Sequence, residues 1–247
     1  MIWKYSYATD TGRVRSHNED AVQIFEQGEM LIMVVADGMG GHASGDVASQ
    51  MAIQFIQDEC EAGFVINDKD EANAWMTHVL EQVNAAILEY AQRIHAKQMG
   101  TTLVIAVVTK EFIAIANIGD SRAYLYAFDQ LRQITKDHTF VRELMDKGQI
   151  SERAAKIHPR KNVINKALGA NEKLEFDFLT LENYKADSIL LCSDGLTGLV
   201  EDQELTKVLA SKLDIDDKVQ LLIKKANDEG GRDNISIALL EFGGVSI

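Results

Sequence analysis

Short runs of apolar residues alternate along this chain with longer stretches in which apolar residues recur every three or four positions. A short apolar run is typical of a buried strand, and recurrence at helical spacing is typical of an amphipathic helix. The pattern predicts strands over residues 2–9, 20–26, 30–36, 101–109, 111–118, 121–127, 174–180, 187–193 and 234–241. It predicts helices over residues 45–60, 69–96, 201–211 and 215–228.

The order of these elements favours antiparallel pairing. Most predicted strands follow one another with short turns between them, which suits an antiparallel sheet better than a doubly wound parallel one. The helices fall into two pairs, so two sheet faces need to be covered. We therefore predict an α+β fold, a layered assembly of sheets with helices outside. A basic segment, residues 136–166, interrupts the pattern with eight Lys or Arg against four Asp or Glu.

Composition narrows the class of protein. The chain has 247 residues, 46% apolar and 26% charged, which is ordinary for a globular protein. No apolar run approaches the roughly 20 residues of a membrane helix. The first residues lack the apolar segment of a signal peptide, so we expect a cytoplasmic protein without membrane insertion. The net charge of −13 argues against a nucleic-acid partner. Cys60 and Cys192 lack metal-type spacing and are expected in the core.

Two apolar runs stop at the same dipeptide, Asp-Gly, in LIMVVADGMGG and SILLCSDGL. Each one alone is best explained as a turn. Five aspartates, however, stand where predicted strands begin or end: Asp20, Asp37, Asp120, Asp194 and Asp233. Strand ends at one edge of packed sheets would bring them together, and partly desolvated carboxylates repel each other unless a cation neutralises them. An all-oxygen ligand set favours Mg²⁺, Mn²⁺ or Ca²⁺.

The glycine-rich stretch GMGGHASGD fits no common nucleotide or calcium motif. It lacks the Gly-Lys-Ser/Thr of a P-loop, the acidic spacing of an EF-hand and the G-x-G-x-x-G of a dinucleotide site. A glycine after the aspartate instead lets the backbone come close enough to offer its own carbonyl, or leaves room for an anionic ligand.

Seven motifs, in order, resemble those of the metal-dependent serine/threonine protein phosphatases of type 2C, in particular the bacterial members that oppose Ser/Thr kinases. They are RSHNED, VVADGMGGH, GTT, NIGDSRAY, TKDHT, CSDGL and GGRDNIS, and they span about Tyr7 to Leu239. The resemblance implies one phosphatase domain over residues 1–247, built as a four-layer αββα sandwich of two antiparallel sheets. It also implies that residues 137–169, which overlap the basic segment, form an inserted flap subdomain.

The resemblance further implies a centre with two Mn²⁺ or Mg²⁺ ions, and a third, weaker one, at one end of the sandwich. The implied ligands are Asp20, Asp37, Gly38, Asp120, Asp194 and Asp233. Asp37 would bridge two metals, the backbone carbonyl of Gly38 would bind one of them, and Asp120 would help to hold the third.

The implied reaction is hydrolysis of phosphoserine and phosphothreonine in proteins. A hydroxide shared by two metals about 4 Å apart would attack phosphorus, and Arg15 would take two phosphate oxygens with its planar fork. Arg15, Asp37 and Asp194 are therefore the expected catalytic residues, and Glu19 and Asn234 are expected to support the ligands by hydrogen bonds. The implied partners are a Ser/Thr protein kinase and its phosphoprotein substrates.

The sequence allows two interpretations of the activity and of the roles of several residues. A non-catalytic phosphoprotein-binding relative is the alternative function, although such a protein would be expected to have lost a metal carboxylate or the arginine. His42 is either the general acid or a packing residue, because Met39 stands where eukaryotic relatives have a histidine. Arg13 is either a second phosphate contact or a solvated side chain. The basic segment is either a solvated helical excursion or a mobile gate for phosphorylated substrates.

Overall fold

The computed structural model of the chain describes residues 3–40, 44–182 and 186–243. Its strands are β1 (Trp3–Asp10), β2 (Asp20–Gln27), β3 (Met30–Met39), β4 (Gly100–Thr101), β5 (Leu103–Val108), β6 (Phe112–Ile118), β7 (Arg122–Ala127), β8 (Gln130–Gln133), β9 (Asp177–Glu182), β10 (Ser188–Cys192) and β11 (Ile235–Phe242). Its helices are α1 (Ser44–Ala62), α2 (Lys69–Arg93), α3 (Phe140–Asp146), α4 (Glu152–Lys156), α5 (Asp194–Thr197), α6 (Asp202–Leu209) and α7 (Ile215–Asp228).

The strands form two antiparallel sheets. The first has the order β1-β11-β10-β7-β8, and the second has the order β2-β3-β5-β6-β9, with β4 paired to β3. Helices α1 and α2 pack on the outer face of the second sheet, and α6 and α7 pack on that of the first. The predicted four-layer αββα sandwich is thus confirmed.

The inner strands are covered on both faces, which explains their continuous apolar runs. In β3, Ile32 and Val34 face α1 and α2, whereas Met33 and Val35 face the other sheet. All four are fully buried. Side chains of the first sheet, Ile189 among them, pack against these residues of β3 and its neighbours. Together they form a central apolar layer between the two sheets.

The structure also contains elements that the apolar pattern does not predict. Strand β8 has the sequence QLRQ and lies at a sheet edge, and β4, α3, α4 and α5 are short. Strand β9 begins at Asp177, three residues later than the predicted strand over 174–180. Leu174 and Phe176 pack against the apolar cluster between the second sheet and its helices, before the ladder with β6 begins.

Residues 137–169, which we call the flap segment, connect β8 to the chain leading into β9. Thr139 caps α3 by accepting from the backbone N–H of Arg142, and Ser151 caps α4 in the same way. An isolated bridge joins Thr139 to Ile164 near the two ends of the segment, and a second joins Leu168 to Thr101 of β4. Its status as a subdomain of a single domain over 1–247 stays a prediction. None of the helices in the described ranges is long and apolar enough to cross a membrane.

Candidate metal centre

The five aspartates singled out in the sequence lie at one edge of the sandwich. Antiparallel pairing puts Asp20, the first residue of β2, directly opposite Asp37 near the end of β3. Asp120 follows β6, Asp194 begins α5 just after β10, and Asp233 lies two residues before β11. The charge of Asp37 is repelled by those of the other four. We call these five residues the acidic edge.

Burial and repulsion between carboxylates raise the pKa values of Asp20, Asp37, Asp120 and Asp194. Burial is the larger cause, and it raises the pKa of Asp20 from 3.8 to about 7 and that of Asp120 to about 8. The pKa of Asp37 is raised well above its usual value by burial and then by repulsion, and the pKa of Asp194 is raised for the same two reasons. Like charges placed together in this way destabilise a fold, and a bound cation relieves them.

Two arginines offset part of this charge. The Nη2 atom of Arg15 donates to Oδ2 of Asp233 at 2.7 Å. The side chain of Arg15 is 48% exposed, so it lies at the mouth of the site and can reach a ligand in solvent. Arg122 is mostly buried and acts against the raised pKa values of Asp120 and Asp194.

Hydroxyl groups lie beneath the carboxylates. Alternate positions of each strand face the space between the sheets, and the alternation that places Met33 and Val35 there continues to Asp37. The same alternation, followed along neighbouring strands to the end near Asp37, places buried hydroxyl residues at the inward-facing positions there. We call them the hydroxyl layer: Thr102, Ser121, Ser193 and Ser236.

The hydroxyl layer holds two of the aspartates. The hydroxyl of Ser193 donates to Oδ2 of Asp20 at 2.7 Å and accepts from the backbone N–H of Ser236 at 2.9 Å. Since Asp20 belongs to the second sheet and Ser236 to the first, this contact spans the two sheets. On the other side, Oγ1 of Thr102 accepts from the backbone N–H of Asp37 at 3.1 Å. These three serines and the one threonine were missed as site residues because their role depends on which strands face each other.

Both Asp-Gly dipeptides need their glycine because another backbone passes close by. A Cβ atom on Gly38 would lie 2.0 Å from the carbonyl oxygen of Gly45 and 2.6 Å from that of Glu19. A Cβ atom on Gly195 would lie 1.9 Å from the carbonyl oxygen of Asn234. Any side chain at either position would push these backbones apart. The glycines thus let three chain segments approach the acidic edge together.

Asn234 holds the loop that carries Arg15, rather than binding Asp233 with its side chain. Its Nδ2 donates to the backbone carbonyls of Thr11 and His17, at 2.9 and 3.0 Å, and its Oδ1 accepts from the N–H of Glu19 at 2.8 Å. Only its backbone N–H contacts the Asp233 carboxylate, at 2.9 Å. Its expected support of the ligands is therefore partly indirect.

Glu19 supports the site mainly through its backbone. Its carbonyl accepts from the N–H of Gly38 at 3.0 Å and from the hydroxyl of Ser49 at 2.6 Å. Its side chain lies 3.2 Å from Nε2 of His17.

The structure gives the positions of Arg13 and Met39. Arg13 contacts the end of α7, with Nε donating to the carbonyl of Asn227 at 2.9 Å and Nη2 lying 3.7 Å from Asp228. This position favours a structural role for Arg13. Met39 is partly exposed at the end of β3, where it pairs with Gly100. His42 lies outside the described residues.

The donors fit a hard divalent cation, although they are not already gathered around one. Within residues 3–40, 44–182 and 186–243, no three His, Cys, Asp or Glu side chains are arranged as a metal cluster. The acidic edge offers carboxylate oxygens, and burial followed by repulsion raises the pKa values of Asp20, Asp37 and Asp120 there. Carboxylate and carbonyl oxygens are the ligands that Mg²⁺ and Mn²⁺ prefer. The donor chemistry, rather than a preformed cluster, supports metal binding here.

Comparisons with known proteins decide the family. A family model described as Protein phosphatase 2C matches residues 11–236. The chain belongs to this family. The serine/threonine phosphatase stp of Listeria innocua is 43% identical over 95% of this chain and 94% of that protein. The protein phosphatase PhpP of Streptococcus pneumoniae is 35% identical over 96% of each.

Solved structures of phosphatases share this protein phosphatase 2C fold. The serine/threonine phosphatase Stp1 of Staphylococcus aureus has a TM-score of 0.93 and 36% identity, covering 99% of this chain and 96% of that one. The phosphatase PstP/Ppp of Mycobacterium tuberculosis has a TM-score of 0.85 and 31% identity, covering 99% and 100%.

Membership in the protein phosphatase 2C family makes this chain a protein phosphatase, and its relatives are serine/threonine phosphatases. The family is generally metal-dependent. The alternative of a non-catalytic phosphoprotein-binding relative is not favoured, since the Listeria, Streptococcus and Staphylococcus relatives are all named as phosphatases.

Proposed function

We propose that this protein phosphatase removes phosphate from phosphoserine and phosphothreonine in proteins, at the acidic edge and with two Mn²⁺ or Mg²⁺ ions. The acidic edge itself carries the proposal, because carboxylates with raised pKa values meet there beside an exposed arginine. The names of the relatives support the substrate class.

The metal ligands would be shared between the two sheets. Asp37 would contact both ions, the carbonyl of Gly38 would bind one, and Asp194 and Asp233 would bind the other. Asp20 would act directly or through water. Asp120 would help to hold a third, weaker ion. When bound, the ions supply Lewis-acid activation of water and neutralise phosphate charge, which is worth several kcal/mol to such a reaction.

Arg15 would bind and orient the phosphate. In this structure its guanidinium is paired with Asp233 at 2.7 Å. A metal on Asp233 would compete for that carboxylate and leave the arginine for the substrate. Two parallel N–H groups of a guanidinium match two phosphate oxygens, which fixes the orientation of the phosphoryl group and offsets its charge.

The hydroxyl layer would keep the two paired carboxylates in place during the reaction. Ser193 holds the side chain of Asp20, and Thr102 holds the backbone of Asp37. Asp20 and Asp37 repel each other across β2 and β3. The bond from Ser193 would therefore restrain the Asp20 carboxylate itself, and the bond to Thr102 would fix the backbone that carries the Asp37 carboxylate.

The flap segment would act as a gate for phosphorylated substrates. Its local excess of positive charge stands out on an acidic protein, and the guanidinium of Arg160 lies 3.8 Å from the ring centre of Phe140 in α3. Natural partners would be a Ser/Thr kinase and the phosphoproteins that it produces. A cytoplasmic location stays a prediction from the sequence.

Hydrolysis of p-nitrophenyl phosphate and of a phosphothreonine peptide tests the proposal. We expect activity with Mn²⁺ or Mg²⁺, loss of activity in EDTA, and recovery when Mn²⁺ is added back. Activity that persists in EDTA would contradict the metal requirement. Absence of activity with any divalent ion would restore the binding-module alternative.

A further inference from the structure

Asp137 and His138 are consecutive residues at the start of the flap segment. They bind the residues that precede and follow Asp120 in its turn. His138 bonds to Gly119, the residue before Asp120. Asp137 bonds to Arg122, two residues after it. This arrangement links the acidic edge to the flap segment.

The contact of His138 with Gly119 consists of two hydrogen bonds. The backbone N–H of Gly119 donates to Nδ1 of His138 at 3.1 Å, and the backbone N–H of His138 donates to the carbonyl of Gly119 at 2.9 Å. Because Nδ1 accepts, the proton of the neutral ring lies on Nε2, which is 3.3 Å from Oδ2 of Asp177. The residue is 8% exposed, so its ring orientation is set by these neighbours.

The contact of Asp137 with Arg122 is a two-pronged ion pair. Nε and Nη2 of Arg122 donate to the two oxygens of Asp137 at 2.8 and 2.6 Å. Nη1 donates to the hydroxyl of Tyr124 at 3.0 Å, which fixes the plane of the guanidinium. Both side chains are largely buried, so this pair is shielded from salt and water.

The same two residues are joined to the flap segment. Thr139, which follows His138, caps α3. The carbonyl of His138 accepts from the N–H of Asn165, near the other end of the segment, at 2.7 Å. A shift of the flap segment at its base would therefore move the turn at Asp120.

We propose that Asp137 and His138 are positioning residues that hold Asp120 for the weakest of the metal sites and couple that site to the flap segment. This inference rests on the proposed function. It assigns the weak metal site a dependence on the acceptor at Nδ1 of His138. If His138 served folding alone, metal binding at the weak site would not depend on an acceptor at this position.

Three variants of His138 test this dependence. Asn places its Oδ1 on the same carbon that carries Nδ1 in histidine, so His138→Asn keeps the acceptor for Gly119. His138→Gln moves the acceptor one bond farther away, and His138→Leu removes it. Lys156→Ala, at an exposed lysine of α4, is the control within the flap segment.

The first readout needs no activity. In EDTA-treated protein, the Gly119 amide should stay protected from hydrogen exchange in the parent and in His138→Asn, and should lose protection in His138→Gln and His138→Leu. Calorimetric titration with Mn²⁺ should show the weakest site lost or weakened about tenfold in the last two only. This is the lower end of the effect of removing a partner that supports a metal ligand, because His138 acts on Asp120 through Gly119.

The second readout is kinetic. With p-nitrophenyl phosphate, kcat should fall about tenfold in His138→Gln and His138→Leu with KM changed less than about twofold. If these variants do not fold, Arg122→Lys, which keeps the charge but loses the fork, should give the same loss. Equal behaviour of the Asn and Gln variants, or an unchanged weak site in all of them, would overturn the proposal. An inactive parent would instead refute the proposed function, while exchange and calorimetry still test the positioning role.

Discussion

The central apolar layer and the acidic edge are built from the same strands and obey opposite rules. In β3, Met33 and Val35 fill the space between the sheets, and two residues later Asp37 occupies the next position of the same alternation. The apolar layer is stabilised by every contact that it makes. In the acidic edge, burial and then repulsion between carboxylates raise the pKa values of Asp20 and Asp37. The apolar layer thus stabilises the fold, whereas the acidic edge destabilises it and serves function.

The largest expected effect breaks the acidic edge. Asp37→Asn keeps the shape of the side chain and removes the charge that would contact both ions. Metal ions at such sites are worth several kcal/mol to the transition state, so we expect kcat to fall by about a thousandfold or more. Steady-state hydrolysis of p-nitrophenyl phosphate in excess Mn²⁺ measures this. Asp216→Asn, at an exposed position in α7, is the matched control, and an Asp37→Asn protein as active as that control would remove Asp37 from the site.

The next effect breaks the apolar layer instead. Ile115→Ala in β6 removes a fully buried side chain from between the sheets, and such cavities cost about 2–5 kcal/mol of unfolding free energy. Urea denaturation measures the loss, and kcat per folded molecule should stay within about twofold of the parent. Ile157→Ala, whose residue is 82% exposed, should change stability by less than about 0.5 kcal/mol. Equal losses in both variants would contradict the assigned layers.

Arginine geometry gives a smaller effect. Arg15→Lys keeps the charge and loses the planar fork, so kcat/KM should fall about 10- to 100-fold, the value of one lost charge-assisted hydrogen bond. The matched control is Arg13→Lys, because Arg13 contacts the end of α7 and not the acidic edge. A loss in Arg13→Lys as large as in Arg15→Lys would reassign phosphate binding to both residues.

Acidity should distinguish the two regions without any change of sequence. The folded pKa values of Asp20 and Asp120, about 7 and about 8, lie above the 3.8 of a free aspartate. The folded protein therefore binds more protons than the unfolded chain between these values, and its stability falls as pH rises from about 4 to 8.

Thermal unfolding in EDTA at pH 5 and pH 8 measures this fall. Asp37→Asn should reduce the slope and raise the melting temperature at pH 8, because one source of repulsion is gone. Mn²⁺ should stabilise the parent most at pH 8. A metal-free parent that is equally stable at both pH values, or a slope unchanged in Asp37→Asn, would contradict the electrostatic account.

The smallest effect concerns the flap segment. Replacing Arg160 and Lys161 with Ala should raise KM for a phosphoprotein a few-fold more than for p-nitrophenyl phosphate, as expected for exposed charges that attract a large acidic substrate. Lys156→Ala is the control for charge alone. Equal effects on both substrates would remove the gate.

The fold was predictable where burial is strong. Predicted strand 111–118 and observed β6 (Phe112–Ile118) agree closely, because an inner strand covered on both faces is apolar along its length. The bounds of the helices in the flap segment were not predictable, although a helical excursion was one interpretation, since α3 and α4 each bury one residue, Val141 and Ala155, and show no apolar stripe.

The acidic edge was predictable in part. Its aspartates mark strand ends, which a sequence displays directly. The hydroxyl layer was not, because Ser193 meets Asp20 across 173 positions and between sheets. The place of Asn234 depends in the same way on which loops happen to meet.

The hydroxyl layer has a consequence for protein engineering. Transplanting the five aspartates alone onto another β-sandwich would set them directly on hydrocarbon, where nothing would orient them and protonation would neutralise them. A working graft would have to carry the three serines and the threonine of the hydroxyl layer as well. It would also need the two glycines, Gly38 and Gly195, because other backbone segments pass close to them. The smallest unit that could be transferred therefore comprises two layers of residues, the carboxylates of the acidic edge and the hydroxyl layer that separates them from the apolar core.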